Sequence, residues 1–272
     1  MQETSPTLAD IATEALAVLA AHRPLTPFSA RPGGLTLEDA SCVTPLLRAG
    51  FEARGETVLG RKIGFTNRSI WAQYGVYAPI WGYVTSATTH DLAAMPSLPA
   101  ADFCEPRLEP EIMFGLRAAP TPGMDEAALM DCIDWLALGY EVVQSPFSDW
   151  KFKPADTVAV NALHGALMIG ERHAFAPRAA QWRRDLASFT AQLSCNGALI
   201  DSGGGAAVLD SPLLALRHLV GMLADDPHNP PLAENEIIST GTLTKAMPVK
   251  PGETWRTEVA DIPLSPVSLR FE

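Results

Sequence analysis

The sequence PRLEPEIMFGL, residues 106–116, places two carboxylates at the mouth of an apolar run. Glu109 and Glu111 stand two positions apart and lead directly into Ile112 and the hydrophobic residues after it. A short, glycine-punctuated apolar run predicts a β-strand, in which alternate side chains share a face about 6.5–7 Å apart. Because burying a lone carboxylate is costly, this strand either ends in solvent or carries both acids into a shared site.

A third acid has a similar setting, because Glu141 lies in the apolar strand candidate YEVVQ, residues 140–144. Glutamates on neighbouring strands can converge on one hard divalent cation, which prefers carboxylate oxygens and keeps positions open for substrate. Without a cation the acids would repel each other and a pKa would rise. From the E-x-E pattern alone, solvated acids at a strand end are the simpler interpretation, and Glu141 could be a salt-bridged edge residue. Taken together, Glu109, Glu111 and Glu141 predict a metal site.

Lys62 is the candidate for proton transfer. It lies in LGRKIGFTN, a strand-like run in which Gly60 and Gly64 allow a ligand or another backbone to approach closely. A lysine beside a metal-bound substrate can act as general acid or base, or neutralise an enolate. The alternative is a surface lysine whose aliphatic stem packs on the protein while its ammonium group stays in water.

The remaining pattern predicts a helical N-terminal region, residues 1–56, before a β-rich region, residues 57–272. Strands and helices do not alternate, which argues against a Rossmann sheet and favours an α+β fold with a mixed, largely antiparallel β core. Asn196-Gly197 predicts a hairpin. Helices are predicted from periodicity and caps at residues 7–22, 36–55, 125–138 and 210–226.

Composition excludes several classes of protein. The chain has 272 residues, of which 47% are hydrophobic, and a formal net charge of -11, which argues against binding to nucleic acid. No apolar run suggests a membrane span, and the first ten residues lack the pattern of a signal peptide. The four cysteines show no CxxC spacing, so we expect reduced thiols in a cytoplasmic protein rather than a zinc site or disulfides: Cys42, Cys104, Cys132 and Cys195.

Five segments resemble the fumarylacetoacetate hydrolase superfamily in sequence and in order. The resemblance extends from about Thr36 onward and is most similar to the 2-keto-4-pentenoate hydratase / 4-oxalocrotonate decarboxylase branch. The segments are GRKIGFTNRSIWAQYGV, PRLEPEIMFGL, GYEVV, DWKFKPADTVAVNALHGALMIG and STGTLTKAMPVKPGETWRTEV.

This resemblance implies a mixed, mainly antiparallel β-roll core, like the C-terminal domain of fumarylacetoacetate hydrolase, and a Mg²⁺ or Mn²⁺ ion. The family's metal carboxylates correspond to Glu109, Glu111 and Glu141, and its K-I-G lysine corresponds to Lys62. Its substrate-lining T-G-T segment corresponds to Thr240, Gly241 and Thr242. Family members are commonly homo-oligomers, and hydratase and decarboxylase members are known to associate.

One segment departs from the family pattern. Where the branch usually carries A-D-N-A-S, this chain has Ala159, Val160, Asn161, Ala162 and Leu163. An acidic and a small polar residue are thereby replaced with apolar ones, which leaves the exact substrate open.

Asn161 and the following His164 are candidates for substrate binding. His164 is either a base that supports hydration or a hydrogen-bonded core histidine.

The predicted activity is that of a divalent-metal-dependent lyase acting on small unsaturated 2-oxo acids. We expect hydration of a 2-hydroxy-2,4-dienoate to a 4-hydroxy-2-oxo acid, with the metal as Lewis acid and template. The alternatives are 4-oxalocrotonate-type decarboxylation and acylpyruvate- or fumarylacetoacetate-type C–C hydrolysis. A hydrolase should carry an N-terminal H-x-x-E pair for water activation, and no clear pair is present. A non-catalytic alternative is an inactive partner subunit of such a complex.

Overall fold

Two capped helices begin the N-terminal region of the protein. The computed structural model describes residues 6–272, and for residues 73 and 74 the backbone alone; residues 1–5 of the predicted helical region lie outside it. The first helix starts after Thr7, whose hydroxyl accepts from the Asp10 backbone N–H. The second starts after Thr36, which forms the same reciprocal capping box with Asp39. Both predicted helices are confirmed.

Seven α-helices are present in the described part of the chain. They are α1 Leu8–Ala21, α2 Leu37–Ala53, α3 Trp71–Tyr74, α4 Glu126–Asp131, α5 Pro154–Ala159, α6 Ala179–Ser188 and α7 Pro212–Ala224.

Fourteen strands are found in the same residues. They are β1 Val58–Gly64, β2 Ile80–Thr85, β3 Thr89–Asp91, β4 Ser97–Leu98, β5 Arg107–Leu116, β6 Ile133–Val143, β7 His164–Ile169, β8 His173–Ala174, β9 Thr190–Cys195, β10 Ala198–Gly204, β11 Ile237–Thr242, β12 Met247–Pro248, β13 Thr254–Ala260 and β14 Val267–Phe271.

The larger sheet is a curled, mixed sheet with the strand order β2-β1-β11-β5-β6-β7-β3, to which β12 adds at β5 and β8 at β6. Most of its pairs are antiparallel, whereas β1–β11 and β3–β7 are parallel. The smaller sheet has the order β10-β9-β13-β14-β4. The predicted α+β class with a mixed, mainly antiparallel β core is therefore confirmed.

One face of the larger sheet carries both an apolar cluster and the predicted acids. In the antiparallel β5–β6 pair, Met113 lies opposite Ala137 and Glu109 lies opposite Glu141. Because side chains alternate along a strand, these residues share a face. Met113 and Ala137 belong to a small buried cluster with Val84, Leu167 and Ile169, and the acids continue the same face beyond it.

The predicted helix over residues 125–138 is wrong in its second half. Asp125 caps the helix as expected, but α4 ends at Asp131 and β6 begins at Ile133. The run from Ile133 to Leu138 is apolar except for the exposed Asp134, so periodicity does not separate a buried strand from a buried helix. Pairing with the whole length of β5 decides for the strand, since it satisfies the backbone hydrogen bonds of both.

The N-terminal helices and the sheet share one hydrophobic core. Val43 and Leu47 of α2 lie in the same buried cluster as Ile63 of β1 and Tyr83 of β2. The boundary between residues 1–56 and 57–272 precedes the first strand, which starts at Val58. That division stays a prediction.

The predicted hairpin and the last predicted helix are both present. Asn196 and Gly197 join β9 to β10 with positive φ angles of 50° and 83°, as a tight hairpin turn requires. The predicted helix over residues 210–226 is α7, which begins after its cap Ser211.

The segment Gly205–Ala224 modifies the expectation that no apolar run suggests a membrane span. Its 20 residues have the length and mean hydropathy, 1.4, of a membrane span. However, only Pro212–Ala224 is α-helical, about 20 Å of a hydrocarbon core that is about 30 Å thick. Its buried leucines belong to the protein's hydrophobic core, which indicates a core helix.

Candidate active site

Three carboxylates meet where β5 and β6 pair. Glu109 of β5 lies opposite Glu141 of β6, and Glu111 follows on the same face of β5. One oxygen from each of the three acids lies within 4.8 Å of the others. Glu111 and Glu141 are completely buried, whereas Glu109 is half-buried. The structure therefore brings together the acids that the sequence selected as metal ligands.

Two of the acids, Glu109 and Glu111, have raised pKa values. Burial raises the pKa of Glu111 well above its usual range, and the charges of Glu141 and Glu109 raise it further. Burial likewise raises the pKa of Glu109 to about 7, although the nearby Lys62 ammonium opposes this. The single lysine does not offset three carboxylates, so the cluster lacks positive charge that a cation would supply.

Two carboxylate oxygens in the cluster accept no hydrogen bond. Oε1 of Glu111 is buried and accepts none. Oε2 of Glu141 is also buried without a hydrogen bond, although the Lys62 ammonium lies 3.2 Å from it. The other oxygen of Glu111 accepts from the Ser239 hydroxyl and, at 2.8 Å, from the Gly241 backbone N–H. Oriented carboxylates whose remaining oxygens accept no hydrogen bond are a donor set that fits a hard divalent ion such as Mg²⁺.

Lys62 of β1 completes the charged cluster. Its Nζ lies 3.2 Å from Glu141 Oε2 and donates a hydrogen bond of 3.0 Å to the Ala162 carbonyl. Burial lowers the pKa of Lys62, but the charges of Glu141, Glu109 and Glu111 outweigh burial, and the net effect is a raised pKa. Lys62 is therefore a buried ammonium group and not the snorkelling surface lysine of the alternative interpretation.

A left-handed turn positions the carbonyl that Lys62 contacts. Asn161, Ala162 and Leu163 have successive φ angles of 58°, 53° and 64°, a region that costs each of them free energy. The Asn161 side chain holds this turn, since it accepts from the Tyr83 N–H at 2.8 Å and donates to the Tyr83 carbonyl at 2.9 Å. The side chain of Asn161 thereby forms with Tyr83 the two hydrogen bonds that the backbone of a neighbouring strand would form.

His164 lies behind Glu141. Its Nδ1 is 2.8 Å from Glu141 Oε1, and its Nε2 is 2.9 Å from the Thr88 hydroxyl. The histidine is buried and contacts one oxygen of Glu141, whereas Lys62 contacts the other. The sequence analysis did not identify Thr88 or Ser239. The segment S-T-G-T, which contains Ser239, could have indicated that residue, whereas no local pattern indicates Thr88.

A cavity adjoins the cluster, and Lys62, Glu109 and Thr242 are among the residues that line it. Gly241, next to Thr242, has a φ of +109°, and a Cβ there would lie 1.9 Å from the Thr66 hydroxyl, so glycine is required. Neither Asn161 nor His164 is among the residues that line this cavity. Direct substrate binding by these two residues stays a prediction.

The chain is similar to several proteins of known activity. A 2-hydroxyhexa-2,4-dienoate hydratase of Comamonas testosteroni is 34% identical over 236 residues, which cover 86% of the chain and 87% of the hydratase. A solved structure of 4-oxalocrotonate decarboxylase from Pseudomonas putida G7, complexed with magnesium and adipate, is similar with a TM-score of 0.87 and 26% identity and covers 97% of each chain. No model of a protein family matches the chain.

A yeast fumarylacetoacetate hydrolase family protein, ynq8, has a TM-score of 0.54 at 15% identity, covers 78% of this chain and 91% of its own, and supports the fold alone. The order of the motifs, the curled sheet and the hydratase relative lead to the same assignment. The chain belongs to the 2-keto-4-pentenoate hydratase / 4-oxalocrotonate decarboxylase family and has the fold of fumarylacetoacetate hydrolase family proteins.

Proposed function

We propose that the protein is a divalent-metal-dependent hydro-lyase that adds water to a 2-hydroxy-2,4-dienoate and yields a 4-hydroxy-2-oxo acid. One observation carries the proposal. Three clustered carboxylates, two of them fully buried, lie beside a buried lysine, in a chain that is 34% identical to a dienoate hydratase over most of its length.

Glu109, Glu111 and Glu141 would hold the ion, Mg²⁺ or Mn²⁺. Two structural neighbours support this choice, the decarboxylase complexed with magnesium and a fumarylpyruvate hydrolase in complex with Mn²⁺. When bound, the ion supplies Lewis-acid catalysis and a template for the carboxylate and 2-oxo oxygens of the substrate.

The chain's own residues would supply charge and proton transfer. Lys62 presents its ammonium to the cavity at the edge of the cluster, where it can neutralise charge that develops on a substrate oxygen and exchange a proton. The Ala162 carbonyl holds the lysine in place, and His164 holds Glu141. Thr242 and Gly241, which face the cavity and Glu111 respectively, are the proposed contacts of the substrate's polar end.

Decarboxylation of a 2-oxo-enedioate is the second candidate. Its support is the similarity to a 4-oxalocrotonate decarboxylase over almost the whole chain. Acylpyruvate-type C–C hydrolysis has weaker support, because the hydrolase-family structures share the fold at low identity. The non-catalytic alternative is a partner subunit whose metal site does not bind a chelating acid.

We further propose the expected setting of the enzyme. The substrate is a small 2-oxo acid, and the protein forms a homo-oligomer that can associate with a related decarboxylase or hydratase. Cytoplasmic location is supported by the four cysteines, all of which are free. Residues 57–272 form the catalytic β-roll domain in this proposal, and residues 1–56 its helical region.

Calorimetric titration with Mg²⁺ and then oxalate, which mimics the chelating end of the substrate, tests the function. An active lyase should bind one Mg²⁺ per chain and then bind oxalate in a Mg²⁺-dependent manner. The absence of oxalate binding in the Mg²⁺-loaded protein would favour the inactive subunit. Product masses then separate the reactions, because water addition, CO₂ release and chain cleavage change the substrate mass differently.

A further inference from the structure

The cavity beside the carboxylates is lined by one cationic side chain and mainly by apolar ones. Lys62, Glu109 and Thr242 line it where the 2-oxo acid would bind, and Thr66 and Asn67 are its other polar side chains. Most of the remaining lining consists of hydrocarbon and aromatic side chains. Among these are Ile70, Ile80, Val143, Trp150, Phe152 and Leu163.

The cavity offers no second cation to a second negative charge. Within the described part of the chain, Lys62 is the one cationic side chain on the cavity wall, and it is already engaged by Glu141 and the Ala162 carbonyl. Arg68, close by in sequence, forms an exposed ion pair with Asp210. A carboxylate at the far end of the substrate would therefore be buried without a counter-charge, which is strongly unfavourable.

Arg107 is the cationic residue that comes nearest to providing such a counter-charge. Its charge acts on Glu109, and its guanidinium lies 4.0 Å from the centroid of the Trp150 ring. However, it is not among the residues that line the cavity. Because Trp150 does line it, Arg107 contacts a wall residue and not the space that the substrate tail would fill.

We propose that the end of the substrate opposite the 2-oxo acid is an uncharged hydrocarbon group, and that the enzyme discriminates against substrates with a second carboxylate. This inference rests on the proposed function, since it assumes that the 2-oxo acid binds at the carboxylate cluster. It separates the two candidate reactions, because decarboxylation of an enedioate requires the second carboxylate at the far end. Ile70, a half-buried residue of the cavity lining, is the residue at which specificity can be altered.

Two saturated 2-oxo acids of equal chain length test the inference without turnover. 2-Oxohexanoate ends in a methyl group and 2-oxoadipate ends in a carboxylate, and calorimetry with the Mg²⁺-loaded protein gives the Kd of each. We expect 2-oxohexanoate to bind more tightly by a factor on the order of 100, the effect of one unpaired buried charge. Ile70→Lys should reduce this ratio at least about tenfold, because it supplies the missing cation, whereas the uncharged control Ile70→Met should preserve it.

Equal or tighter binding of 2-oxoadipate to the wild-type protein would overturn the inference. If Arg107→Gln then weakened 2-oxoadipate but not 2-oxohexanoate, Arg107 would be the partner that the inference denies. Oxalate, which has no tail, separates this failure from failure of the proposed function. If oxalate binds but 2-oxoadipate binds at least as tightly as 2-oxohexanoate, the inference alone is contradicted. If none of the three acids binds in a Mg²⁺-dependent manner, both the inference and the proposed function are contradicted.

Discussion

At the scale of single residues, each buried acid of the site is stabilised by specific hydrogen-bond or ion-pair partners. Glu111 is oriented by Ser239 and Gly241, and Glu141 is held between His164 and Lys62. Oε1 of Glu111 accepts no hydrogen bond, and Oε2 of Glu141 accepts none beyond its ion pair with Lys62. An oriented acid with an oxygen that a cation can still contact, and not the mere presence of acids, is typical of a metal site.

Glu109→Gln should abolish metal-dependent turnover and leave the fold intact. The substitution removes one charged ligand but keeps the shape and hydrogen-bonding capacity of the side chain. We expect loss of calorimetric Mg²⁺ binding together with an unchanged circular dichroism spectrum. Activity that persists in this variant, with or without metal, would exclude the proposed role of Glu109.

His164→Phe should weaken Mg²⁺ binding by about 10–100-fold, the usual effect of losing a group that orients a metal ligand. The reason is that Glu141 Oε1 would lose the contact now made by His164 Nδ1. His164→Asn, which keeps a donor, is the matched control and should recover part of the affinity. Equal Mg²⁺ affinity in the wild type and both variants would show that His164 does not position Glu141.

At the scale of elements, the strands carry the acids and a strained turn carries the contact to Lys62. The spacing of Glu109 and Glu111 could be predicted from the sequence, because the two-residue period of a strand is local. The pairing of Glu109 with Glu141 could not, because register depends on how β5 and β6 meet. The same tertiary pairing explains why residues 133–138 are strand although their sequence also suits a helix.

Asn161→Ala should destabilise the protein by about 2–3 kcal/mol, since both of its side-chain hydrogen bonds to the Tyr83 backbone are lost from a buried site. The turn would also lose the support that places the Ala162 carbonyl at Lys62. Asn161→Asp can still accept from Tyr83 N–H and should cost less. Chemical denaturation measures both, and equal stability of all three proteins would contradict the role given to this turn.

At the scale of the whole molecule, the curled sheet forms a face that is apolar along one part and charged along the next. The small cluster around Met113 occupies the apolar part, and the carboxylates occupy the charged part. The charged part therefore places three carboxylates beside one lysine. This arrangement should appear in the stability of the whole chain, because a group whose pKa differs between folded and unfolded states couples folding to pH.

The metal-free protein should become less stable as the pH rises from about 5 to about 8 through this cluster. Glu109 has a folded pKa of about 7 against an ordinary value of 4.5, so the folded state binds more protons between these values. The contribution of Glu109 is therefore fully present below its unfolded pKa and is lost as the pH rises through its folded pKa. Thermal unfolding across this range measures the effect.

Mg²⁺ should reverse this trend. It binds the ionised carboxylates, so its stabilising effect on the midpoint of thermal unfolding should grow with pH over the same range. Glu109→Gln provides the control, because both the pH trend and the effect of Mg²⁺ should be smaller in that variant. A Mg²⁺ effect that is independent of pH would show that the ion binds elsewhere.

The most direct measurement is the anomalous diffraction of crystals grown with Mn²⁺ and oxalate. We expect one manganese peak per chain, in contact with Glu109, Glu111 and Glu141, with oxalate bound to it on the side of Lys62. A peak at another position, or these three side chains turned apart from one another, would contradict the account.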